Sequence, residues 1–276
     1  MNPHLKKYLI GEFSFKRLIR SFLIITVLLY VLIMVFAFKF ADSLIFQPQK
    51  SFYKDDDSII KIEAENGEKI SAKYFQNKDA EFTILFSHGN AEDIGISTPF
   101  FEELRDAGFS VLAYDYRGYG TSDGTPSEQN SYKDIKAAYE YLTEHLKIPP
   151  NKIIIHGRSL GGAVSVNLAS REKCGGLIVE SSFISAFRVL TSYKLLPFDK
   201  FESINKIKNV KCPILIIHGK RDSIIPFWHG EALFEAANEP KFSLWVDEAN
   251  HNNLFQTSRN NYLRAIQDFS AEINSK

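Results

Sequence analysis

Residues 152–163 read KIIIHGRSLGGA and carry the strongest structural signal in this chain. An apolar run typical of a buried strand leads into the pattern Gly-x-Ser-x-Gly, and small residues suited to opening a helix follow it. Glycine relieves backbone crowding at such a tight strand-to-helix turn. The turn therefore predicts that Ser159 presents its hydroxyl at the carboxyl edge of a sheet, beginning a helix.

Outward from this turn, short apolar runs alternate with longer amphipathic stretches over residues 82–273. Such alternation is typical of a mostly parallel sheet with helices on both faces. Ahead of it, residues 59–63 and 70–75 flank Asn66-Gly67, a turn dipeptide that predicts an antiparallel hairpin. The sequence thus predicts an α/β fold with eight strands. A short insertion between the sixth and seventh strands predicts a small cap.

Composition excludes several classes of function. Lys plus Arg equals Asp plus Glu at 33 each in 276 residues, so no overall field favours nucleic acid. Cys174 and Cys212 form neither a disulfide framework nor a zinc pattern, and no HExxH occurs. We expect no metal, no cofactor and no nucleic-acid partner. The two cysteines each precede a predicted parallel strand, so they either pair in an oxidising compartment or stay reduced.

Residues 22–38, FLIITVLLYVLIMVFAF, form an uncharged apolar run. A helix of this length covers about 26 Å, close to the hydrocarbon thickness of a bilayer. A cleaved signal peptide and a buried core helix are the alternatives. The run is long for a signal peptide, no Ala-x-Ala site follows it, and it has no polar face. We expect it to cross a membrane once.

Positive charge is concentrated before this run, whereas the charges that follow it are mixed. The positive-inside rule then keeps residues 1–21 in the cytoplasm and makes residues 22–38 a signal anchor. Residues 39–58, with a proline and an acidic run, predict a connector. Residues 59–276 form the predicted catalytic domain on the opposite side of the membrane. The preceding cationic residues are Lys6, Lys7, Lys16, Arg17 and Arg20.

A serine hydroxyl becomes a nucleophile only when a neighbouring base takes its proton. In proteins with this strand–serine–helix turn, an acid and then a histidine follow the serine along the chain. The histidines after Ser159 are His218, His229 and His251. His218 ends an apolar run, which favours a structural position. His251 lies in the loop between the last strand and the last helix, so we expect it to be the base.

Two carboxylates compete for the role of orienting this histidine. Asp222 follows the penultimate strand, where a neighbouring strand end can hold the Nδ1–H of the imidazole. Asp247 is only four residues from His251 and better suits a turn within the same loop. We therefore expect Asp222 to be the acid.

The oxyanion formed by such a serine needs preorganised N–H donors. The first long apolar strand ends in Ser-His-Gly-Asn-Ala, a glycine turn that can aim the backbone N–H of Asn90 at the site. The N–H of Leu160, directly after the nucleophile, is the expected second donor. His88 in the same turn is expected to be structural.

Together these residues resemble the α/β-hydrolase superfamily, from about Ile59 to the carboxyl end. The run YDYRGYGTS, residues 114–122, is similar to the family's structural D-x-R-G-x-G-x-S loop. The anchor, the ADSLIFQP of residues 41–48, HGNA and GRSLGGA are similar to membrane-anchored α/β-hydrolase-domain-containing proteins. Some of those relatives remove acyl chains from S-acylated proteins, and bacterial members are described as hydrolases or as serine-peptidase-like.

The resemblance implies transfer of an acyl group to water without a cofactor. We expect a serine hydrolase that cleaves carboxylic esters or thioesters through an acyl-enzyme on Ser159, with a lipid-like acyl donor. A peptidase-like amide hydrolase and a catalytically inactive binding module are the alternatives. The cap is the expected place for substrate specificity, although its apolar residues also suit simple packing.

Overall fold

The computed structural model describes residues 15–65 and 67–274, and it divides into two units that meet between Leu44 and Ile45. The described part of the first unit belongs to helix α1, Phe15–Ile45, which is 31 residues long and ends with the first residue of the second unit. Such a helix measures about 46 Å, and most of its apolar side chains are exposed, which makes it a candidate membrane span. Residues 1–14 of the predicted cytoplasmic segment lie outside the described residues.

Helix α1 differs from the predicted span of residues 22–38 at both ends. It includes residues 39–45, which the sequence assigns to the connector. These residues contain neither glycine nor proline, and the first strong helix stop is Pro48. The second compact unit accordingly starts at Ile45 rather than at residue 59.

The second unit contains an eight-stranded sheet in the order β1-β2-β4-β3-β5-β6-β7-β8. β2 is antiparallel to both of its neighbours, and every pair from β4 to β8 is parallel. This confirms the predicted mostly parallel sheet of eight strands. Gly67 in the hairpin turn has a φ of 79°, while its partner Asn66 is not among the described residues. The strands are Ile60–Glu63, Lys69–Phe75, Thr83–Ser87, Ser110–Tyr114, Ile153–Arg158, Gly176–Glu180, Ile214–Gly219 and Lys241–Val246.

Helices cover both faces of the sheet because neighbouring residues of each buried strand point to opposite sides. Leu85 packs in one apolar cluster with α3, α4 and α6, whereas Phe86 packs in the other with α2 and α8. Every residue of α4 is buried. The helices after α1 are, for α2 to α8, Ile94–Asp106, Glu128–Glu140, Leu160–Ala169, Ser203–Lys206, Trp228–Ala236, Leu254–Thr257 and Arg259–Asn274.

The segment between β6 and β7 forms a short cap. Residues 186–193 contain a single 3₁₀ turn, Phe187–Val189. The apolar residues of the cap divide into two groups: Phe183 and Phe201 are buried in the core, whereas Leu190 and Tyr193 are 86% and 78% exposed. Packing therefore accounts for only some of the apolar side chains in this segment.

Candidate active site

Ser159 lies between the last residue of β5 and the first residue of α4, with φ 54° and ψ −118°. A non-glycine residue rarely adopts positive φ, and such strain is typical of functional turns. The turn is also crowded, because a Cβ added at Gly157 would overlap the carbonyl of Gly161. The Ser159 N–H donates to the Glu180 carbonyl at 2.8 Å, which fixes the turn against β6.

A hydrogen-bonded chain links Ser159, His251 and Asp222. The Nε2 atom of His251 is 3.1 Å from the Ser159 Oγ, and its Nδ1 is 2.7 Å from Asp222 Oδ2. Because a carboxylate only accepts hydrogen bonds, Nδ1 carries the proton and Nε2 is left as an acceptor for the serine hydroxyl. The three side chains come from the ends of β5, β7 and β8, which meet at the carboxyl edge of the sheet.

Asp222 is held as a carboxylate by a turn of its own loop. Its Oδ1 accepts the N–H of Ile224 at 2.9 Å and that of Ile225 at 2.7 Å. Burial by itself raises the pKa of this carboxyl, but polar contacts with His218, His251 and Ile225 outweigh burial and lower the pKa well below its ordinary value. Asp222 thus stays ionised at neutral pH and favours the Nδ1–H tautomer of His251.

The competing residues have other partners. His218 donates from Nε2 to the Ile225 carbonyl at 2.9 Å, and its distance to Asp222 Oδ2 is longer, at 3.5 Å. His229 accepts the Ile184 N–H at 3.3 Å, and burial lowers its pKa to about 4. Asp247 is 73% exposed and pairs with Lys220 at 2.6 Å. Of the predicted alternatives, only His251 is in contact with Ser159.

The loop after β3 lies beside the serine turn. Ser87 and Gly157 are register partners in the two parallel strands, and a Cβ at Gly161 would overlap the carbonyl of Ser87. This close approach brings the residues after Ser87 next to the start of α4, where Leu160 presents a first-turn N–H that has no acceptor within the helix. Asn90 lies in this loop, as the sequence predicts. The roles of Asn90 and Leu160 as donors stay predictions.

Sequence reasoning missed Arg158, the variable residue of the pentad. Its Nη1 pairs with Glu92 at 2.6 Å and its Nη2 donates to the His251 carbonyl at 3.2 Å. Glu92 in turn accepts the Gly89 N–H at 3.1 Å, and Glu180 lies 3.7 Å from Arg158 Nε. Arg158 therefore connects the serine turn, the loop after β3 and the histidine loop.

A cavity of about 310 Å³ opens beside this arginine. Phe86, Phe100 and Phe255 form an apolar wall, while Glu92 and Arg158 supply charge. Asn252, the residue after His251, also borders it. Apolar walls with a few polar groups are typical of sites for small organic ligands.

Metal chemistry has no obvious ligand set in the residues described. No group of three His, Cys, Asp or Glu side chains lies close enough together, within residues 15–65 and 67–274, to hold an ion. The arrangement around Ser159 instead has the parts needed for proton transfer from a hydroxyl to an imidazole.

Comparisons with known proteins identify the family of the chain. The family model described as serine aminopeptidase S33 matches residues 78–204, and the prolyl oligopeptidase family model matches residues 187–275. The chain is 37% identical to human α/β-hydrolase domain-containing protein 17B over 223 residues, covering 79% of this chain and 77% of that protein. It is 44% identical over 182 residues to the protein aho-3 of Caenorhabditis elegans, covering 64% and 54%.

Solved structures share the fold at lower identity. An esterase of Pyrococcus furiosus superimposes with a TM-score of 0.69 at 21% identity, covering 82% of this chain and 98% of the esterase. A monoacylglycerol lipase of Paleococcus ferrophilus gives a TM-score of 0.60 at 20% identity, covering 74% and 99%. Together with the sheet order and the serine turn, these relatives show that the chain belongs to the α/β-hydrolase family, among its α/β-hydrolase domain-containing proteins.

Proposed function

We propose that this protein is a serine hydrolase that cleaves carboxylic ester or thioester bonds through an acyl-enzyme on Ser159. The observation that carries the proposal is the chain of hydrogen bonds from Ser159 Oγ through His251 to Asp222. Membership of the α/β-hydrolase family supports hydrolase activity independently of this geometry. A serine hydroxyl within hydrogen-bonding reach of an imidazole is the arrangement that nucleophilic acyl transfer requires.

In the first step, Ser159 Oγ attacks the carbonyl carbon of the substrate while its proton moves to His251 Nε2. The N–H groups of Asn90 and Leu160 stabilise the oxyanion. His251 then donates this proton to the departing alcohol or thiol, and the acyl group stays on Ser159. A water molecule, deprotonated by His251, attacks the acyl-enzyme and releases the carboxylic acid together with the free serine.

Helix α1 supports an acyl donor that is itself lipid-like, because a tethered domain acts next to a membrane. We extend the proposal to topology: residues 22–38 cross the membrane as a signal anchor, with the amino terminus in the cytoplasm and the domain opposite. Protease added to intact vesicles distinguishes the two orientations. Digestion of the domain from the cytoplasmic face would contradict this topology.

Amide hydrolysis is the second candidate, and the observation that favours it is the match to two family models described as peptidases. Esters and thioesters have better leaving groups than amides, so the same residues cleave them with less assistance to the departing group. A panel of acyl esters of different chain length, acyl thioesters and aminoacyl amides ranks the three classes by kcat/KM.

The decisive experiment compares Ser159→Ala with the wild-type full-length chain in detergent. Ester turnover and labelling by a fluorophosphonate probe are expected to fall by at least about a thousandfold, because the nucleophile is gone. Ser170→Ala is the matched control, since Ser170 ends the same helix and bonds only the Asn167 carbonyl through its hydroxyl. An inactive binding module would show no labelling in the wild type, and equal labelling in Ser159→Ala would rule out this nucleophile.

A further inference from the structure

Residues 45–53, which we name the strap, run from the last residue of α1 toward the first strand of the sheet. The sequence predicts them to be part of a passive connector, but in the structure they belong to the compact catalytic unit. Phe46 is buried and packs against the rings of Tyr119 and Phe201, with centroid distances of 6.4 and 5.9 Å. Phe46 therefore anchors the first part of the strap to the catalytic unit.

We propose that the strap is a positioning element of the active site, which fixes the peptide group of Asn90 for oxyanion binding. The proposal rests on the proposed function of Ser159 and adds to it a set of residues outside the sheet. It assigns the chain between the membrane helix and the sheet a part in catalysis. Asn90 itself is the contact through which the strap acts.

The Asn90 side-chain amide is bonded through both its oxygen and its nitrogen. Its Nδ2 donates to the Ile45 carbonyl at 2.5 Å, and its Oδ1 accepts the Gln47 N–H at 3.0 Å. The same oxygen accepts the Tyr119 hydroxyl at 2.6 Å and the Ala91 N–H at 3.1 Å. Turning the Asn90 peptide would break bonds at both ends of this amide.

The backbone next to Asn90 is strained and needs such support. The next residue, Ala91, has a φ of 61°, a conformation that side-chain-bearing residues rarely adopt. Strained backbone persists only where the surrounding structure over-determines it. The hydrogen bonds from the strap and from Tyr119 supply that constraint on one side of the loop.

The strap has a second attachment at the far end of the same loop. Asp93 caps α2 by accepting the Ile96 N–H at 3.0 Å, and its other oxygen accepts the Phe52 N–H at 2.7 Å. The Tyr53 hydroxyl donates to Asp115 at 2.6 Å, and Asp115 accepts the Ile94 N–H at 2.9 Å. The strap thus forms hydrogen bonds with the loop on both sides of Ala91.

A purely structural strap would affect stability alone, whereas a positioning strap also affects kcat. Asn90→Ala keeps the backbone N–H but removes both bonds to the strap. We expect kcat for ester hydrolysis and the rate of fluorophosphonate labelling to fall about a hundredfold, with KM little changed, because the donor is present but misplaced.

A matched pair of tyrosine variants separates catalysis from folding. Tyr119→Phe removes the hydroxyl that joins Asn90 to the strap, whereas Tyr139→Phe removes a comparable hydroxyl that donates to the Lys173 carbonyl at 2.7 Å. Both variants should lose similar thermal stability in the full-length chain. Only Tyr119→Phe should lower kcat, by about tenfold.

Each result separates the two proposals. Wild-type labelling that depends on Ser159, with slower labelling in Asn90→Ala and Tyr119→Phe, supports both. The same wild-type labelling with rates equal to Tyr139→Phe in every variant overturns the strap proposal alone. Absence of Ser159-dependent labelling in the wild type overturns the proposed function and the strap proposal with it.

Discussion

Two edges of the sheet carry potential nucleophiles. At the carboxyl edge, here the serine edge, Ser159 is followed by α4. At the amino edge, here the cysteine edge, Cys174 and Cys212 precede β6 and β7. The serine hydroxyl lies 3.1 Å from a histidine nitrogen. The two sulfurs lie 3.0 Å apart, and Cys174 Sγ donates to Cys212 Sγ. This hydrogen bond, with burial, raises the pKa of Cys174 well above its ordinary value.

The comparison leads us to expect that the partners of each side chain, as well as its type, set reactivity at the two edges. A thiol is the better nucleophile in isolation, but only as a thiolate, and Cys174 is held protonated. A serine hydroxyl is a poor nucleophile, but at the other edge a histidine is placed to take its proton. The predictions below alter these partners one at a time.

Of the substitutions at the serine edge, Asp222→Asn is expected to lower kcat the most. The amide still fits the site but no longer favours the Nδ1–H tautomer of His251, so kcat should fall about 10³- to 10⁴-fold. Steady-state kinetics of ester hydrolysis measure this. Asp247→Asn is the control, since Asp247 is exposed and bonded to Lys220, and its kcat should match the wild type. The reverse ranking would make Asp247 the acid.

Arg158→Gln should have the next largest effect. Removing the cation breaks the ion pair with Glu92 and the hydrogen bond to the His251 carbonyl. The serine turn, the loop after β3 and the histidine loop then lose the residue that connects them. We expect kcat to fall about 10- to 100-fold through misplacement of the reacting groups. Arg105→Gln, which loses an exposed pair with Asp106, is the control. A lower melting temperature with unchanged kcat would make Arg158 a stabilising residue only.

The pH dependence of stability gives a smaller and more specific signal. Because the folded chain lowers the pKa of Asp222 below its ordinary value of 3.8, the carboxylate adds stability above that pH and loses it as pH falls through the folded pKa. The difference in free energy of unfolding between the wild type and Asp222→Asn should therefore shrink from pH about 6 to pH about 3. Denaturant titrations at the two pH values measure it, and a constant difference would contradict the lowered pKa.

The cysteine edge should respond to oxidation without a change in catalysis. Both thiols border an open cleft of about 650 Å³, so a small oxidant reaches them. Hydrogen peroxide should join the two sulfurs slowly, because a thiol must first lose its proton, with two thiol hydrogens and the peroxide leaving as two water molecules. The loop this bond closes should raise stability by about 3 to 4 kcal/mol, with no measurable change in kcat.

Intact mass spectrometry detects the bond as the loss of two hydrogen atoms. Cys212→Ser is the control and should show no such loss. An unchanged mass in the oxidised wild type would exclude the bond, and a fall in kcat on bond formation would show that the two edges are coupled.

Much of the structure of the serine edge was predictable from the sequence because it depends on residues that are close together in the chain. The apolar run before Ser159 and the glycines around it specify a strand, a tight turn and a helix within a dozen residues. Parallel strands bring their carboxyl ends to one edge, so the loops holding Asp222 and His251 were predictable as neighbours. The alternation of strands and helices predicted the sheet itself, which the structure confirms.

Tertiary structure alone decided which side chains support that edge. Arg158 meets Glu92 across 66 residues of chain, and Gln47 meets Asn90 across 43. No local sequence pattern predicts such contacts, because the partners are far apart in the chain. Some of the partners are also backbone groups, which do not depend on the type of residue. For the same reason the strap looked like a connector in the sequence. The sequence determined the serine turn and its edge of the sheet, whereas long-range packing determined what holds that turn in place.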